Sequence, residues 1–444
     1  MLKESISGVR GIVGEGFTPE VIVDYCRAFS EFLAEGPIII ARDSRPHGKV
    51  ISELASAAFR LAGRDIIDIG IQSTPTAEVV VERTEAAGGI IITASHNPIE
   101  WNALKFLKSD GMFLDSVDFQ KLLTLKSRSF RWAAHDKIGK YEFLEDAQKY
   151  HIDSIIWLPW LDGETIRKAN FKVVLDSNGG TGSIALLTLL EKLNCEVIQL
   201  CCSPNGVFEH EAEPRPENLR RLSELVVEHG ADIGLATDPD ADRLALVDEK
   251  GVPIGEEYTL AIGAGEVADF VEGPIVTNLS TSAMVESLGR EVVRTPVGEI
   301  NVSSKMMEIG SPVGGEGNGG LIVPACHPGR DGILATAVIL HRMARTGKKL
   351  SELAGEFPKL TMIKEKTRAE VEYDELAKLI LDEFDVEQLD RTDGVRVVTA
   401  DGWLHVRASN TEPIMRFIAE SEDEERARGL IDRAKRIIEG RKTS

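Results

Sequence analysis

The chain has 444 residues, 43% of them hydrophobic and 28% charged. That is room for three or four domains with cores of their own, and it excludes the disordered and fibrous classes. Lys and Arg number 51 against 72 Asp and Glu, a net charge of −21, which repels nucleic acid and anionic membranes and makes neither a default partner. A phosphorylated ligand would be repelled at long range as well, so a phosphate site needs cations of its own close by.

The five cysteines, Cys26, Cys195, Cys201, Cys202 and Cys326, are odd in number and form no CxxC pair. That argues against a disulfide framework and a zinc ribbon, and for a reducing compartment. The N-terminus reaches Gly8 and Arg10 without an apolar signal region, and no apolar run approaches the ~20 residues that span a bilayer. The expectation is a soluble cytoplasmic protein.

Taken in order, the first third alternates helix and strand. Thr18-Pro19 opens a helix that Gly36 closes. Residues 37–41 read as a strand, 50–61 as a helix, 66–69 as a strand and 76–86 as a helix. Gly88-Gly89 then opens Ile90-Ile91-Ile92, a β-branched run suited to a buried parallel position. The pattern repeats with strands at 171–176, 196–200 and 232–236 and helices at 183–192 and 217–229. A third round places strands at 274–277 and 291–294, helices at 282–288 and 300–309, and a strand from Val313. The last ~75 residues differ. A helix at 374–384 precedes strands at 395–399, 403–407 and 414–419. Ser421 with Glu424 reads as a capping box that starts a closing helix. The polar stretch 364–368 reads as a linker. The predicted fold is α/β: three similar mixed α/β domains with largely parallel sheets, then a smaller α+β C-terminal domain, around a central cleft. The boundaries fall at 1–150, 151–250, 251–365 and 366–444.

Ligands of open parallel sheets collect at the carboxyl ends of strands. The first polar loop there is Thr93-Ala94-Ser95-His96-Asn97-Pro98. Its residue types fit an ordinary turn as well as a serine placed to carry a phosphoryl group. The absence of GxSxG disfavours a serine hydrolase. The second is Asp238-Pro239-Asp240-Ala241-Asp242-Arg243, between two apolar strands. Three crowded carboxylates repel one another, and a hard cation such as Mg²⁺ resolves that cost. An EF-hand fails because Arg243 stands where its sharp turn needs glycine. The third, Gly314 to Gly320, carries Glu316 and Asn318, which could bond adjacent sugar hydroxyls, although a flexible loop has the same composition. The fourth, Arg407 to Pro413 with Arg416 beyond, offers a guanidinium, hydroxyls and backbone N–H groups to a phosphate, or is a plain hairpin turn.

In this order and at these intervals the four loops are more specific. The chain resembles the α-D-phosphohexomutase superfamily, the phosphoglucomutases, phosphomannomutases and phosphoglucosamine mutases, over essentially its whole length. Ser7-Gly8-Val9-Arg10-Gly11, Arg42-Asp43-Ser44-Arg45, Asn102 and Lys105 belong to the likeness. It implies a transfer of phosphate between O1 and O6 of a hexose, through a phosphoserine at Ser95 and a catalytic hexose 1,6-bisphosphate. Asp238, Asp240 and Asp242 would bind Mg²⁺ together with a phosphoserine oxygen. Glu316 and Asn318 would grip sugar hydroxyls. Arg407, Ser409, Asn410, Thr411 and Arg416 would hold the phosphate that is not reacting, and Arg10, Lys105 and Arg243 would neutralise charge.

The chain departs from that pattern at Ala103, Asn318, Gly320, Ala408 and Asn410. Many members carry a histidine where Gly320 stands. Lys105, His96 or His327 would then move protons, Lys105 first, provided local cations depress its pKa. The variant loops resemble archaeal-type phosphoglucosamine mutases, and Glu299 could meet an amino sugar's ammonium or face solvent. This makes glucosamine 6-phosphate the expected substrate, ahead of glucose or mannose phosphate. The competing readings are a Mg²⁺-dependent sugar phosphatase and a non-catalytic sugar-phosphate-binding protein. The sequence leaves monomer and homodimer both open.

Overall fold

The computed structural model describes residues 2–368, 371–408 and 414–439. Its strands form four sheets of seven, four, four and five strands. The first three share one plan. In the first unit, Ile38–Arg42 lies between Ile66–Ile71 and Gly88–Ile92, parallel to both, and Trp101–Lys108 adds antiparallel to Gly88–Ile92. In the second, Lys172–Asp176 lies between Glu196–Leu200 and Ile233–Thr237, and Leu244–Val247 returns antiparallel. In the third, Ile275–Asn278 lies between Val292–Thr295 and Val313–Glu316, and Gly320–Ile322 returns antiparallel.

This recurrence positions the site. The serine loop, the acidic loop and the glycine loop each connect the third strand of its unit to the antiparallel fourth. They are topologically equivalent, at the carboxyl ends of buried parallel strands. The burial follows from composition: all five residues of Gly88–Ile92 and of Ile233–Thr237 are buried, as expected for strands covered on both faces.

The second and third units share one continuous apolar core, running from Ile152 through Leu186, Leu235 and Ile262 to Leu334 and Phe357. The fourth unit has its own, between an all-antiparallel sheet and the helices Tyr373–Glu383 and Glu424–Glu439. Among the described residues no helix is long and apolar enough to cross a membrane.

Several expectations need correction. The stretch read as a linker is the strand Thr361–Thr367, paired along its length with Met415–Ser421. Met362 and Ile363 give way to Lys364, Glu365 and Lys366, of which the two lysines are exposed, because one face of this edge strand is wet. Ser421 ends a strand and donates to the Asp401 carbonyl, while Asp423 accepts from Arg426 N and caps the last helix. The helix expected at 282–288 is a 3₁₀ helix, Ala283–Leu288, capped by the Ser282 hydroxyl and stopped at Gly289. The third helix starts earlier, Thr74–Arg83, because Ser73 caps it and Pro75 lies in its first turn.

Candidate active site

Ser95 stands three residues beyond the strand Gly88–Ile92 with φ of 49°, a left-handed conformation that side chains rarely take. Arg45 holds it there. This fully buried guanidinium pairs with Asp43 at 3.0 Å and donates to the carbonyls of Ser95 at 2.7 Å and Asn97 at 2.6 Å. Thr93 Oγ1 accepts from Ser95 N at 2.9 Å. The acidic loop carries a matching strained residue, Ala241, with φ of 56°.

The two loops meet. Ser95 Oγ donates to Asp238 Oδ2 at 2.9 Å. Lys105 Nζ, from the same unit as Ser95, donates to Asp240 Oδ2 at 2.7 Å, and Thr74 Oγ1 does so at 2.8 Å. The third unit approaches from the other side. Arg330 donates to Asp242 at 2.5 Å and to Glu316 at 2.9 Å, and its N–H and Nε bond Glu299. Leu244 N donates to Gly319 O at 3.0 Å. Gly319 has φ of 89°, and a Cβ there would lie 2.6 Å from Leu244 O, so only glycine closes this seam.

Asp238, Asp240 and Asp242 are fully buried, and one carboxylate oxygen from each lies within 4.8 Å of the others. Among the described residues, Asp240 Oδ1 and Asp242 Oδ1 have no hydrogen-bond donor. Burial and the other two aspartates push the Asp238 carboxyl well up. Three crowded carboxylates with unclaimed buried oxygens fit a hard divalent cation.

The cations are arranged around this loop. Arg243 bonds Glu213 at 3.0 Å and lies 3.8 Å from Asp242. Arg10 donates to Asn97 Oδ1 at 3.4 Å; burial lowers its basicity and Asp240 partly restores it. Burial opposes the charge of Lys105, but Asp240 and Asp242 outweigh it and hold its pKa up. The depression that would make Lys105 a base is absent, because its neighbours are carboxylates. His96 Nδ1 lies 3.3 Å from Ser95 Oγ, and the Arg243 charge with burial pushes the ring down to about 3, so it is neutral.

His327 is not brought to Ser95. It is fully buried, 3.1 Å from Asp331 and 3.3 Å from Glu78. Burial works against its charge, yet those carboxylates raise it to about 10. His151, 2.6 Å from Asp331, completes a buried junction of the three units. Glu316 accepts from Asn278 and Gly298 N on Oε1 and from Arg330 alone on Oε2, while Asn318 Oδ1 has no partner among the described residues. Arg407 is buried, 3.0 Å from Asp393, and Arg416 is exposed on the neighbouring strand. Ser409, Asn410 and Thr411 lie outside the described residues. The sequence reading missed Arg330. A Cβ on Gly320 would lie 2.3 Å from Arg330 Cδ, so the arginine fills the space a side chain at 320 would need. The polar quartet Gly329-Arg330-Asp331-Gly332 before a helix was its only signal.

Three units of one topology, a fourth of another, and a serine held against a metal-competent acidic loop define the architecture of a phosphohexomutase. The chain matches the phosphoglucomutase/phosphomannomutase alpha/beta/alpha domains I, II and III over residues 2–128, 149–251 and 256–360, and the C-terminal domain over 367–437. It belongs to the α-D-phosphohexomutase family and is an isomerase, an intramolecular phosphotransferase. It is 36% identical to a Thermococcus kodakarensis protein named phosphoglucomutase/phosphomannomutase, over 97% of each chain. It is 35% identical to a probable phosphoglucosamine mutase of Methanopyrus kandleri, over 96% of this chain and 95% of that one. A phosphomannomutase-like structure from Thermus thermophilus superposes with a TM-score of 0.84 at 25% identity, covering 99% of each chain.

Proposed function

We propose that the protein interconverts hexose 6-phosphate and hexose 1-phosphate, with Ser95 as phosphoryl carrier. The observation that carries this is the 2.9 Å bond from Ser95 Oγ to Asp238, across 143 residues of chain. In the forward half-reaction the P–Oγ bond of phosphorylated Ser95 breaks and a bond to the free sugar hydroxyl forms. That hydroxyl gives up its proton as Ser95 Oγ takes one up to become a hydroxyl again, and a hexose 1,6-bisphosphate results. The bisphosphate turns over, and its other phosphoryl group returns to Ser95 Oγ. Asp238, Asp240 and Asp242 hold Mg²⁺, which supplies charge neutralisation to the phosphoryl oxygens. Arg10, Lys105 and Arg243 add fixed positive charge. His96, uncharged beside the serine hydroxyl, is placed to exchange its proton. Asn318 and Glu316 address the sugar, and Arg407, Arg416 and the loop 409–411 hold the idle phosphate.

The substrate we infer is glucosamine 6-phosphate, supported by relatives at 31–35% identity that carry the name phosphoglucosamine mutase. One observation favours a neutral hexose instead. Glu299, the carboxylate available to an ammonium, is bound twice by Arg330. Comparing kcat/KM for glucosamine, glucose and mannose 6-phosphates decides between them.

The reaction itself is tested with Mg²⁺, hexose 6-phosphate and a trace of the 1,6-bisphosphate. Phosphate at O1 is the expected product. Free phosphate would indicate a phosphatase, and no change a binding protein. Ser95→Ala should lose roughly 10³-fold or more in rate with its fold intact; full activity in that variant would remove Ser95 from the mechanism.

A further inference from the structure

Six arginines are buried among the described residues. Five have a carboxylate within 4 Å: Arg27 has Asp24 at 3.9 Å, Arg45 has Asp43 at 3.0 Å, Arg243 has Glu213 at 3.0 Å, Arg330 has Asp242 at 2.5 Å and Arg407 has Asp393 at 3.0 Å. The sixth, Arg396, is 7% exposed, and among the described residues its side chain makes no hydrogen bond or ion pair. It rests on the Trp403 ring, 4.9 Å from the guanidinium carbon to the ring centroid. Leaving a buried guanidinium unpaired costs several kcal/mol, and a fold with five paired examples has ready means to avoid it.

Arg396 lines a groove of about 540 Å³ between the third and fourth units. Its neighbours Val395 and Val397 point into the core of the fourth unit, so the alternation of the strand turns Arg396 to the groove. Arg294 forms part of the opposite wall but is spent on Glu286 and on the carbonyls of Asn278 and Thr281. Burial and the Arg294 charge pull the Arg396 guanidinium down to about 10. None of the residues assigned to phosphoryl transfer lines this groove.

We propose that the groove is a binding site for a small, singly charged carboxylate ligand, held by the fork of Arg396. A planar guanidinium fixed on an indole presents parallel N–H donors that match a carboxylate. The charge of the occupant follows from the rest of the lining. Glu420 is satisfied by Ala283 N and Trp403 Nε1, Asp390 by Thr392, and Glu422 by Arg426. With Glu286 and Asp401 these carboxylates outnumber the three arginines, so the wider lining repels a phosphate dianion about twice as strongly as a monoanion, and only the direct contact with Arg396 favours an anion. The walls belong to both units, so an occupant would hold the fourth against the third.

The test uses the full chain, its tryptophan fluorescence and its thermal midpoint, with sodium glycolate and inorganic phosphate as probes. Glycolate should give a saturable response that weakens at least tenfold in Arg396→Met and also weakens in Arg396→Lys, which keeps the charge but loses the fork. Arg416→Met, an exposed change in the region assigned to the idle phosphate, should respond to glycolate as the parent does. In carboxylate-free buffer Arg396→Met should melt above the parent, because it exchanges an unpaired buried cation for an apolar chain. An unchanged glycolate response in both Arg396 variants, or no response in the parent, would overturn the site. A lower melting point for Arg396→Met would make the arginine structural. Phosphate acting through Arg396 in place of glycolate would overturn the class of ligand.

Discussion

The guanidinium of Arg330 is where Asp242, Glu316 and Glu299 converge, and all of its partners are buried or nearly so. Truncating one member of such a cluster leaves the others charged and dry. Arg330→Met should therefore cost about 3–5 kcal/mol of unfolding free energy, read from urea titrations. Arg330→Lys should recover only a minor part, since an ammonium cannot reach three carboxylates with a planar fork. A loss below about 1 kcal/mol, typical of an exposed pair, would show that the cluster is hydrated. Residue type alone also misleads about protons here. His96 adjoins the Ser95 hydroxyl and Lys105 reaches Asp240 of the facing loop, yet opposite surroundings make the lysine a firm cation and the histidine a neutral ring. His327 has the chemistry of a proton carrier but is walled in by Glu78 and Asp331.

At the scale of elements, the acidic loop between Ile233–Thr237 and Leu244–Val247 is clamped by Thr74 and Lys105 on one side and by Gly319, Gly332 and Arg330 on the other. Its carboxylates are pre-arranged and repel one another, so a divalent cation should stabilise the folded chain. At a hundredfold excess of free Mg²⁺ over its dissociation constant the gain is about 2.7 kcal/mol. Thermal midpoints with and without Mg²⁺ measure it, and Asp240→Asn should shrink the shift. A midpoint indifferent to Mg²⁺ at every concentration would remove the ion from the loop. The loop itself was legible in the sequence because apolar strands bracket it, and the serine loop because Ile90-Ile91-Ile92 precedes it. Strand 395–399 was legible for the same reason, as a β-branched run, and strand 232–236 as a short apolar one before the acidic loop. Thr361–Thr367 was not, because an edge strand wet on one face has the composition of a linker. Arg330 was not, because its role depends on a contact with Asp242 across 88 residues. Spacing within a motif reports on one loop; it says nothing of which distant side chain closes over it.

Across the whole molecule, the shared core makes the second and third units one body, while the fourth is attached by polar bonds. Its Glu420 accepts from Ala283 N at 2.8 Å, its Asp393 accepts from Val297 N at 3.0 Å, and its His405 meets the Ser280 hydroxyl at 2.9 Å. Burial pushes His405 down to about 4 from 6.5, against a smaller pull from Asp393 and with reinforcement from Arg407 and Arg396. Between those values the unfolded chain takes up a proton that the folded chain refuses. Stability should therefore fall as pH drops from 6.5 toward 4, by at most about 3 kcal/mol from this residue. Urea midpoints at several pH values should show that slope flattened in His405→Gln. The same interface bears on catalysis. A sugar bisphosphate must present both ends to one serine, so the fourth unit is expected to swing. The strand Thr361–Thr367 is locked into its sheet, which moves the pivot upstream, into residues 355–360 between the helix Leu350–Ala354 and that strand. Polar bonds of this kind can be exchanged for water at small net cost, whereas a shared apolar core cannot. Small-angle scattering with and without hexose 1,6-bisphosphate should show a smaller radius of gyration in the bound state. The shift should persist in Ser95→Ala, because closure follows from binding and not from transfer. Superimposable curves for the free and bound chain would mean that the fourth unit stays where it is, and that the sugar turns within a cleft of fixed shape.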